Sequence, residues 1–242
     1  MPSTVRNRPR HRRSSDANES RPNWYASRQS LTRPVTTSPT VTKAVTGNSL
    51  IPAKRITTPR LDTRTGSQLL MAFVSAGHIG RQTQSVQQVE GGGLRWTRVE
   101  RRTSAAGTTE VWQAYSKQPF KNNVTARLSG PGTGAVTVGA APSAGNTVAA
   151  GGNGRTASVR LPVKAGSLAW AVGFDPRAAA HRVLPAGQSL VGETRSWWRD
   201  DTYWVQRQST SVERAGALTL SATGPRAAAW QMTAVEIRPA AK

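Results

Sequence analysis

From Gly66 onward the chain consists of short apolar runs that recur roughly every 10 to 15 residues and are separated by Gly, Pro, Asn and Ser. No segment shows the sustained period of about 3.6 residues that marks an amphipathic helix. This pattern predicts an all-β domain of antiparallel strands. The predicted strands cover residues 68–75, 84–89, 94–102, 108–115, 123–128, 135–140, 156–163, 167–174, 202–209, 217–222 and 229–238.

The side-chain pattern within the runs indicates how the strands are buried. Residues 94–102 place Leu94 and Trp96 on one face and mostly polar side chains on the other, as in a strand with one buried side. Residues 68–75 and 167–174 are apolar on both faces, so we expect them to be central. Together the runs predict an antiparallel two-sheet sandwich of the jelly-roll or immunoglobulin-like type, preceded by a basic extended N-terminal arm. The aromatic residues expected to form its framework are Trp96, Trp112, Trp170, Tyr203, Trp204 and Trp230.

Three glycine clusters connect predicted strands, at residues 90–96, 129–134 and 149–154. Because each lies between two strands, none leads into the helix N-terminus that lets a glycine loop hold phosphate. We therefore expect them to be hairpin or loop connections.

The arm, residues 1–60, differs in composition from the domain at residues 61–242. It is rich in Arg, Ser, Thr and Pro, and its twelve lysines and arginines face only two acids. Such a segment cannot bury enough apolar surface to order itself, so we expect disorder or ordering by partners. Three roles stay open: nucleic-acid binding by charge, anchoring to a neighbouring subunit, and a solvated tail. The arm residues expected to bind a partner are Arg6, Arg8, Arg10, Arg12, Arg13, Arg21, Arg28 and Arg33.

Catalytic and metal-binding patterns are missing from the sequence. The chain has no cysteine and three histidines, none of them at a zinc-ligand spacing. Asp200 and Asp201 are the most suggestive acids, but an Asp before a strand start is typical of a turn. We therefore expect no enzyme activity, no cofactor and no metal.

The chain is also expected to lack a membrane span. Residues 1–30 contain no apolar core of a secretory signal peptide, and the longest charge-free apolar stretch, residues 165–174, is too short to cross a bilayer. The net charge of +21 instead predicts attraction to polyanions such as nucleic acid, teichoic acid or anionic lipid.

A predicted loop at residues 192–199 carries two neighbouring tryptophans, Trp197 and Trp198, flanked by Arg195 and Arg199. Neighbours in a loop cannot easily both point inward, so at least one tryptophan is a candidate surface contact. These four residues are the surface-contact candidates of the domain.

The following strand, residues 202–209, places Tyr203 and Trp204 on opposite faces. One of these aromatic faces is expected in the core. The other is expected to be only partly packed, at the outer side of the sheet.

The runs "GGGLRWTRVERRTSAAGTTEVWQAYS" (residues 91–116) and "DDTYWVQRQST" (residues 200–210) are the most specific parts of a wider resemblance. Over residues 66–239 the chain resembles a β-sandwich module of actinobacterial secreted multidomain proteins and actinophage virion or tail-associated proteins. The resemblance implies a structural or attachment role and no catalytic residue. The arm has no counterpart in that family, and the tryptophan pair departs from it.

These observations predict a virion structural protein of a phage infecting a high-GC host, in a minor capsid, decoration or tail position. Its partners would be other virion subunits and, through the arm, nucleic acid or another polyanion. One alternative is an extracellular or cell-surface module that binds sugar rings on Trp197 and Trp198. A second alternative is the jelly-roll coat protein of a small virus, with the arm neutralising its genome.

Overall fold

The structure, a computed structural model, describes residues 39, 41–79 and 83–240, and these residues form strands and no helix. The expected all-β class is confirmed. The strands are β1 (Thr42–Thr57), β2 (Leu61–Asp62), β3 (Gln68–His78), β4 (Val86–Glu90), β5 (Thr97–Ser104), β6 (Gly107–Ser116), β7 (Lys121–Asn122), β8 (Thr125–Ala141), β9 (Ser143–Val163), β10 (Leu168–Asp175), β11 (Gln188–Ser196), β12 (Asp201–Gln208) and β13 (Gly216–Arg238).

The strands form two main antiparallel sheets and one small pair. The first sheet has the order β1-β8-β3-β6-β5, and β4 pairs with β8 beside it. The second sheet has the order β11-β12-β10-β13-β9, and β2 pairs with β7. Apart from the pair β2–β7, strands up to β8 build the first sheet and strands from β9 onward build the second, so the chain completes one sheet before it starts the next.

The two sheets repeat one topology. In each half of the chain the first long strand pairs with the last, the last with the second, the second with the fourth, and the fourth with the third. By this order β5 and β6 of the first half correspond to β11 and β12 of the second. The long ribbon β1–β8 likewise corresponds to the ribbon β9–β13. Each half therefore builds the same order of strand pairing from a different sequence.

The inner faces of the sheets pack against each other and form a central core, an arrangement consistent with a sandwich. Phe73 of β3 stacks on Trp170 of β10 with ring centroids 5.4 Å apart. The Thr109 and Thr233 hydroxyls, one from each sheet, are 2.8 Å apart. Alternation along β3 and β10 places these inner side chains opposite a second set that points away from the partner sheet.

Each sheet also has an outer core, because its long ribbon folds over its own outer face. In the first half, Leu70 and Trp112 pack beneath residues of β4 and the start of β8. In the second half, Trp204 packs with Leu161 and Leu220 of the ribbon β9–β13. The glycine that pairs with this tryptophan makes room for it, since a Cβ on Gly173 would lie 2.1 Å from the indole ring.

The ribbons bend where a Gly-Pro pair interrupts the longer strand. Gly130–Pro131 lies in β8 and Gly224–Pro225 in β13, and strand pairing shifts register near both. Proline cannot donate to the ladder and is tolerated at such irregularities.

Several predicted boundaries are corrected here. Residues 123–128 and 135–140 belong largely to one strand, β8, and residues 217–222 and 229–238 belong to β13. The glycine clusters expected as connections at residues 129–134 and 149–154 therefore lie inside strands, whereas the cluster at residues 90–96 includes a turn. Strand β11 falls largely where the sequence pattern predicts a loop or no strand.

The first sheet also extends into the segment assigned to the arm. Strand β1 pairs with β8 from Thr42 to Thr57, so these residues belong to the sheet although their composition is polar. The sheet therefore begins before residue 60, where the sequence predicts the end of the arm. The expected arm contacts Arg6, Arg8, Arg10, Arg12, Arg13, Arg21, Arg28 and Arg33 lie outside the described residues.

Candidate functional site

The two exposed tryptophans of the second half lie at one tight turn. This tryptophan turn, residues 197–200, joins β11 to β12, and its Trp197 and Trp198 are 72% and 57% exposed. The guanidinium carbon of Arg195 lies 5.2 Å from the ring centroid of Trp197, and that of Arg199 lies 5.7 Å from Trp198. The turn therefore presents two indoles, each with an arginine stacked on it.

Contacts to the first half hold the turn in place. Arg199 donates to the carbonyl of His78 at 2.8 Å, and the Trp198 indole donates to the carbonyl of Leu50. The Asp200 carboxylate accepts from the Ala179 amide at 3.0 Å and from Arg226. These bonds fix the backbone on both sides of the two indoles.

Asp200 has a positive φ of 59°, a left-handed conformation that Asp tolerates better than most residues. It ends the turn and directs the chain into β12. This agrees with the turn role predicted for Asp200, whereas Asp201 is the first residue of β12.

A buried polar cluster supports the turn from below. Tyr203 donates to Asp201 at 2.8 Å and lies 2.7 Å from the Thr133 hydroxyl of the first sheet. Burial raises the pKa of Asp201 to about 6, although Tyr203 and the Arg199 guanidinium, 3.7 Å away, lower it. Burial also raises the pKa of the Tyr203 hydroxyl. The Asp201 carboxyl, at the first position after the turn, therefore releases its proton at a higher pH than an exposed aspartate does.

Two further apolar side chains are exposed close to the turn. Leu50 is partly exposed and Ile51 is 72% exposed. Both lie in β1, and the Leu50 carbonyl accepts the hydrogen bond from Trp198. Leu50, Ile51, Trp197 and Trp198 form what we call the apolar patch. Exposed apolar clusters with a charged rim are typical of interaction sites.

The first half has a corresponding turn with different side chains. Residues 105–106, here called the alanine turn, join β5 to β6 and are both alanine. Gln231 of β13 bonds to this hairpin, donating to the Ser104 hydroxyl at 2.7 Å and to the Gly107 carbonyl at 3.3 Å. Each hairpin thus lies against the long ribbon of the opposite half.

The predicted framework residues lie inside the protein. Trp96 and Trp112 are in the first outer core, Trp170 in the central core, and Trp230 packs against the second outer core. Tyr203 and Trp204 are both fully buried, so the expectation that one of them is only partly packed is wrong. The ribbon β9–β13 covers the outer face that would otherwise be solvated.

Several other titratable side chains have structural partners. Asp175 forms a buried ion pair with Arg182, and burial raises its pKa despite that arginine. The Nδ1 atom of His78 lies 2.9 Å from the Ala106 carbonyl, and that of His181 lies 2.6 Å from Glu193. Across residues 41–79 and 83–240 no group of three His, Asp or Glu side chains is arranged to hold a metal ion. In the same part of the chain, no helix is long and apolar enough to cross a bilayer.

Sequence reasoning found the two tryptophans and missed their neighbours Leu50 and Ile51. Those two lie in β1, which was assigned to the arm because of its polar composition. No local pattern would have placed them, because β1 forms through its pairing with β8.

Comparison with known proteins adds no relative: no family model, no curated protein and no solved structure matches the chain.

Proposed function

We propose that the protein is a non-catalytic structural subunit that docks onto a partner through the tryptophan turn. The observation that carries this proposal is the exposure of Trp197 and Trp198 on a backbone held by bonds to Leu50 and His78. Tryptophan and arginine are the residues most enriched at the energetic centres of protein interfaces. A fixed pair of indoles also loses little conformational freedom on binding.

The fold does not require aromatic residues at this position. The first half makes the corresponding connection with Ala105 and Ala106, and its hairpin still lies against the opposite ribbon. The second half instead exposes two of the eight tryptophans of the chain. Packing inside the protein does not explain why two tryptophans stand at this turn. Contact with a partner would explain it.

The assembly that we propose is the virion of a phage infecting a high-GC host, with the subunit in a minor capsid, decoration or tail position. The resemblance over residues 66–239 supports this assignment, as does the net charge of +21. The basic segment that precedes β1 would anchor the subunit to its neighbours or to nucleic acid. The same proposal places the protein in the virion.

For the finer fold class we propose a sandwich closer to a jelly roll than to an immunoglobulin domain. Long strands that cross from one layer to the next at bends support this choice. Here β1, β8, β9 and β13 each run from a central sheet onto an outer core.

The test is incorporation into particles. Cells that produce the particle would carry the double variant W197A/W198A, and copies per purified particle would be counted by quantitative mass spectrometry. We expect at least about a tenfold loss of copies, the equivalent of one interface hot spot. The matched control is Y115A, which removes another exposed aromatic ring far along the sequence.

Two results would contradict the proposal. One is absence of the wild-type chain from purified particles. The other is equal incorporation of W197A/W198A and Y115A.

A second candidate function is an extracellular or cell-surface module that binds carbohydrate. The large exposed indole faces favour it, because apolar faces of sugar rings stack on aromatic side chains and arginines suit anionic wall polymers. Sedimentation with purified cell walls separates the two functions. Retention on walls that W197A/W198A abolishes, without any incorporation into particles, would favour the second candidate.

A further inference from the structure

A groove of about 230 Å³ lies beside the alanine turn, at the place where the first hairpin meets the ribbon β9–β13. Its volume is just below the range of about 300 to 1,000 Å³ that is usual for small-molecule sites. It therefore has room for a ligand of a single ring. The polar residues that line it include Arg102, Ser104, Asn153 and Gln231.

Small residues keep the groove open. The alanine turn has no side chain long enough to cross to the ribbon, unlike Trp198, which reaches the Leu50 carbonyl in the other half. On the opposite wall, a Cβ on Gly151 would lie 3.0 Å from the Trp230 carbonyl oxygen and 3.2 Å from Arg102 Nε. Even one methyl group added at Gly151 would therefore narrow the groove.

A buried acceptor at the groove has no partner. Gln231 is 3% exposed, and its amide nitrogen donates to Ser104 and Gly107. Its Oε1 atom makes no hydrogen bond within the part of the chain that the structure describes, and it is itself covered, so a ligand reaches it by a small shift of the amide side chain. A buried acceptor left in this state costs about 1–3 kcal/mol, so a hydroxyl donor that reaches it would be favoured.

A cation stands at the same groove. Arg102 pairs across the sheet with Thr109, whose hydroxyl bonds to Thr233, so Arg102 is on the inner face. Its neighbour Arg101 pairs with Glu110 and is on the outer face. Among the residues described, no carboxylate forms an ion pair with Arg102.

We propose that this groove binds one acidic sugar residue. The sugar carboxylate would pair with Arg102, a ring hydroxyl would donate to Gln231 Oε1, and the apolar edge of the ring would lie against Ala229 and Pro176. A uronic acid carries both a hydroxyl donor and an acid group on a single small ring. The proposal does not depend on the tryptophan turn or on its partner.

The experiment is an NMR titration of the full chain with methyl glucuronide, with methyl glucoside as the neutral comparison. We expect saturable shifts of the Gln231 side-chain amide with the glucuronide, and at least about tenfold weaker binding of the glucoside. R102A should weaken glucuronide binding by at least about tenfold. R101A, which removes the same charge from the outer face, should bind within about twofold of the wild type.

Gly151→Ala provides a second variant that keeps every polar group and narrows the groove, and it should also weaken binding. Three results would overturn the proposal: no saturable shift with the glucuronide, equal affinity for the glucoside, or equal loss in R101A and R102A. The last would show attraction by net charge alone. None of these results bears on the tryptophan turn, so the two proposals fail separately.

Discussion

The two halves of the chain build the same five-strand order but complete their inner hairpins differently. The alanine turn of the first half is small, and a groove remains beside it. The tryptophan turn of the second half is large and exposed and has an arginine stacked on each indole, and it is tied to the first half through Trp198 and Arg199. Because topology is shared, the difference reflects what each turn contacts and not what the fold needs.

The comparison also separates two kinds of tryptophan that stand close together in the sequence. Trp204 fills an outer core and is 1% exposed, whereas Trp197, seven residues earlier, is 72% exposed. The first kind stabilises the second half. The second kind has almost no packing to lose and is available to a partner.

The largest expected effect tests this separation. Trp204→Ala should lower the free energy of unfolding by about 3–5 kcal/mol, because it leaves a cavity over Gly173 in the second outer core. Urea denaturation followed by circular dichroism measures the loss. A loss below about 1 kcal/mol would mean that the outer core of the second half is not packed as described.

The next effect concerns Asp201, which begins β12 where Gly107 begins β6. The folded-state pKa of about 6 lies above the ordinary value of 3.8, so the folded protein binds the proton more tightly. Stability from this group is therefore present at low pH and is lost as the pH rises from about 4 to about 6, by roughly 3 kcal/mol. Asp201→Asn should remove this loss and leave the variant more stable than the wild type at pH 7.

Urea denaturation of both proteins at pH 4.5 and pH 7 measures the Asp201 contribution. The difference between variant and wild type isolates it from Asp175 and Glu110, whose pKa values are also raised by burial. An equal pH dependence in the two proteins would show that burial does not raise the pKa of Asp201.

A smaller effect is expected from Arg199, which connects the tryptophan turn to the first sheet. Arg199→Ala removes the hydrogen bond to the His78 carbonyl and the positive charge that faces Asp201. It should lower the free energy of unfolding by about 1.5–3 kcal/mol. Arg195→Ala is the matched control, since its guanidinium stacks on Trp197 and no bond to the first sheet involves it in the described residues. Equal losses in both variants would show that the turn is not anchored through His78.

The smallest effect is expected from the exposed indole itself. Trp197→Ala should change the free energy of unfolding by less than about 0.5 kcal/mol, as substitutions on the surface usually do. The same urea experiment measures it. A loss comparable to that of Trp204→Ala would place Trp197 in the framework and remove the contrast between the two turns.

The sequence predicts the strands whose side chains alternate or are continuously apolar, and it misses those that pairing imposes. Strand β11 contains Gly192, Glu193 and Arg195, which have little intrinsic preference for strands, and it forms because β12 offers a partner along its length. Strand β1 is a similar case beside β8. Tertiary pairing overrides local composition at both positions.

The sequence pattern predicts separate strands on either side of each Gly-Pro pair, and this prediction is wrong for a related reason. Gly130–Pro131 and Gly224–Pro225 have the composition of a turn, yet each lies in a long strand at a register shift. Local chemistry correctly indicates an interruption but cannot tell a bend within a ribbon from the end of a strand. The sequence predicts that at least one of Trp197 and Trp198 is exposed, and both are. Adjacency alone does not decide this, because the neighbours Tyr203 and Trp204 are both buried where each face of β12 is covered.

The pairing of first strand with last has a kinetic consequence for the protein. Neither β1 nor β9 can be paired until the chain has reached β8 or β13, so each half closes its longest loop last. During synthesis the first half acquires all its strands once Ala141 has emerged, before any strand of the second half exists. The order of the sheets along the chain thus favours folding in two successive steps, with the first sheet serving as the template on which the second is assembled.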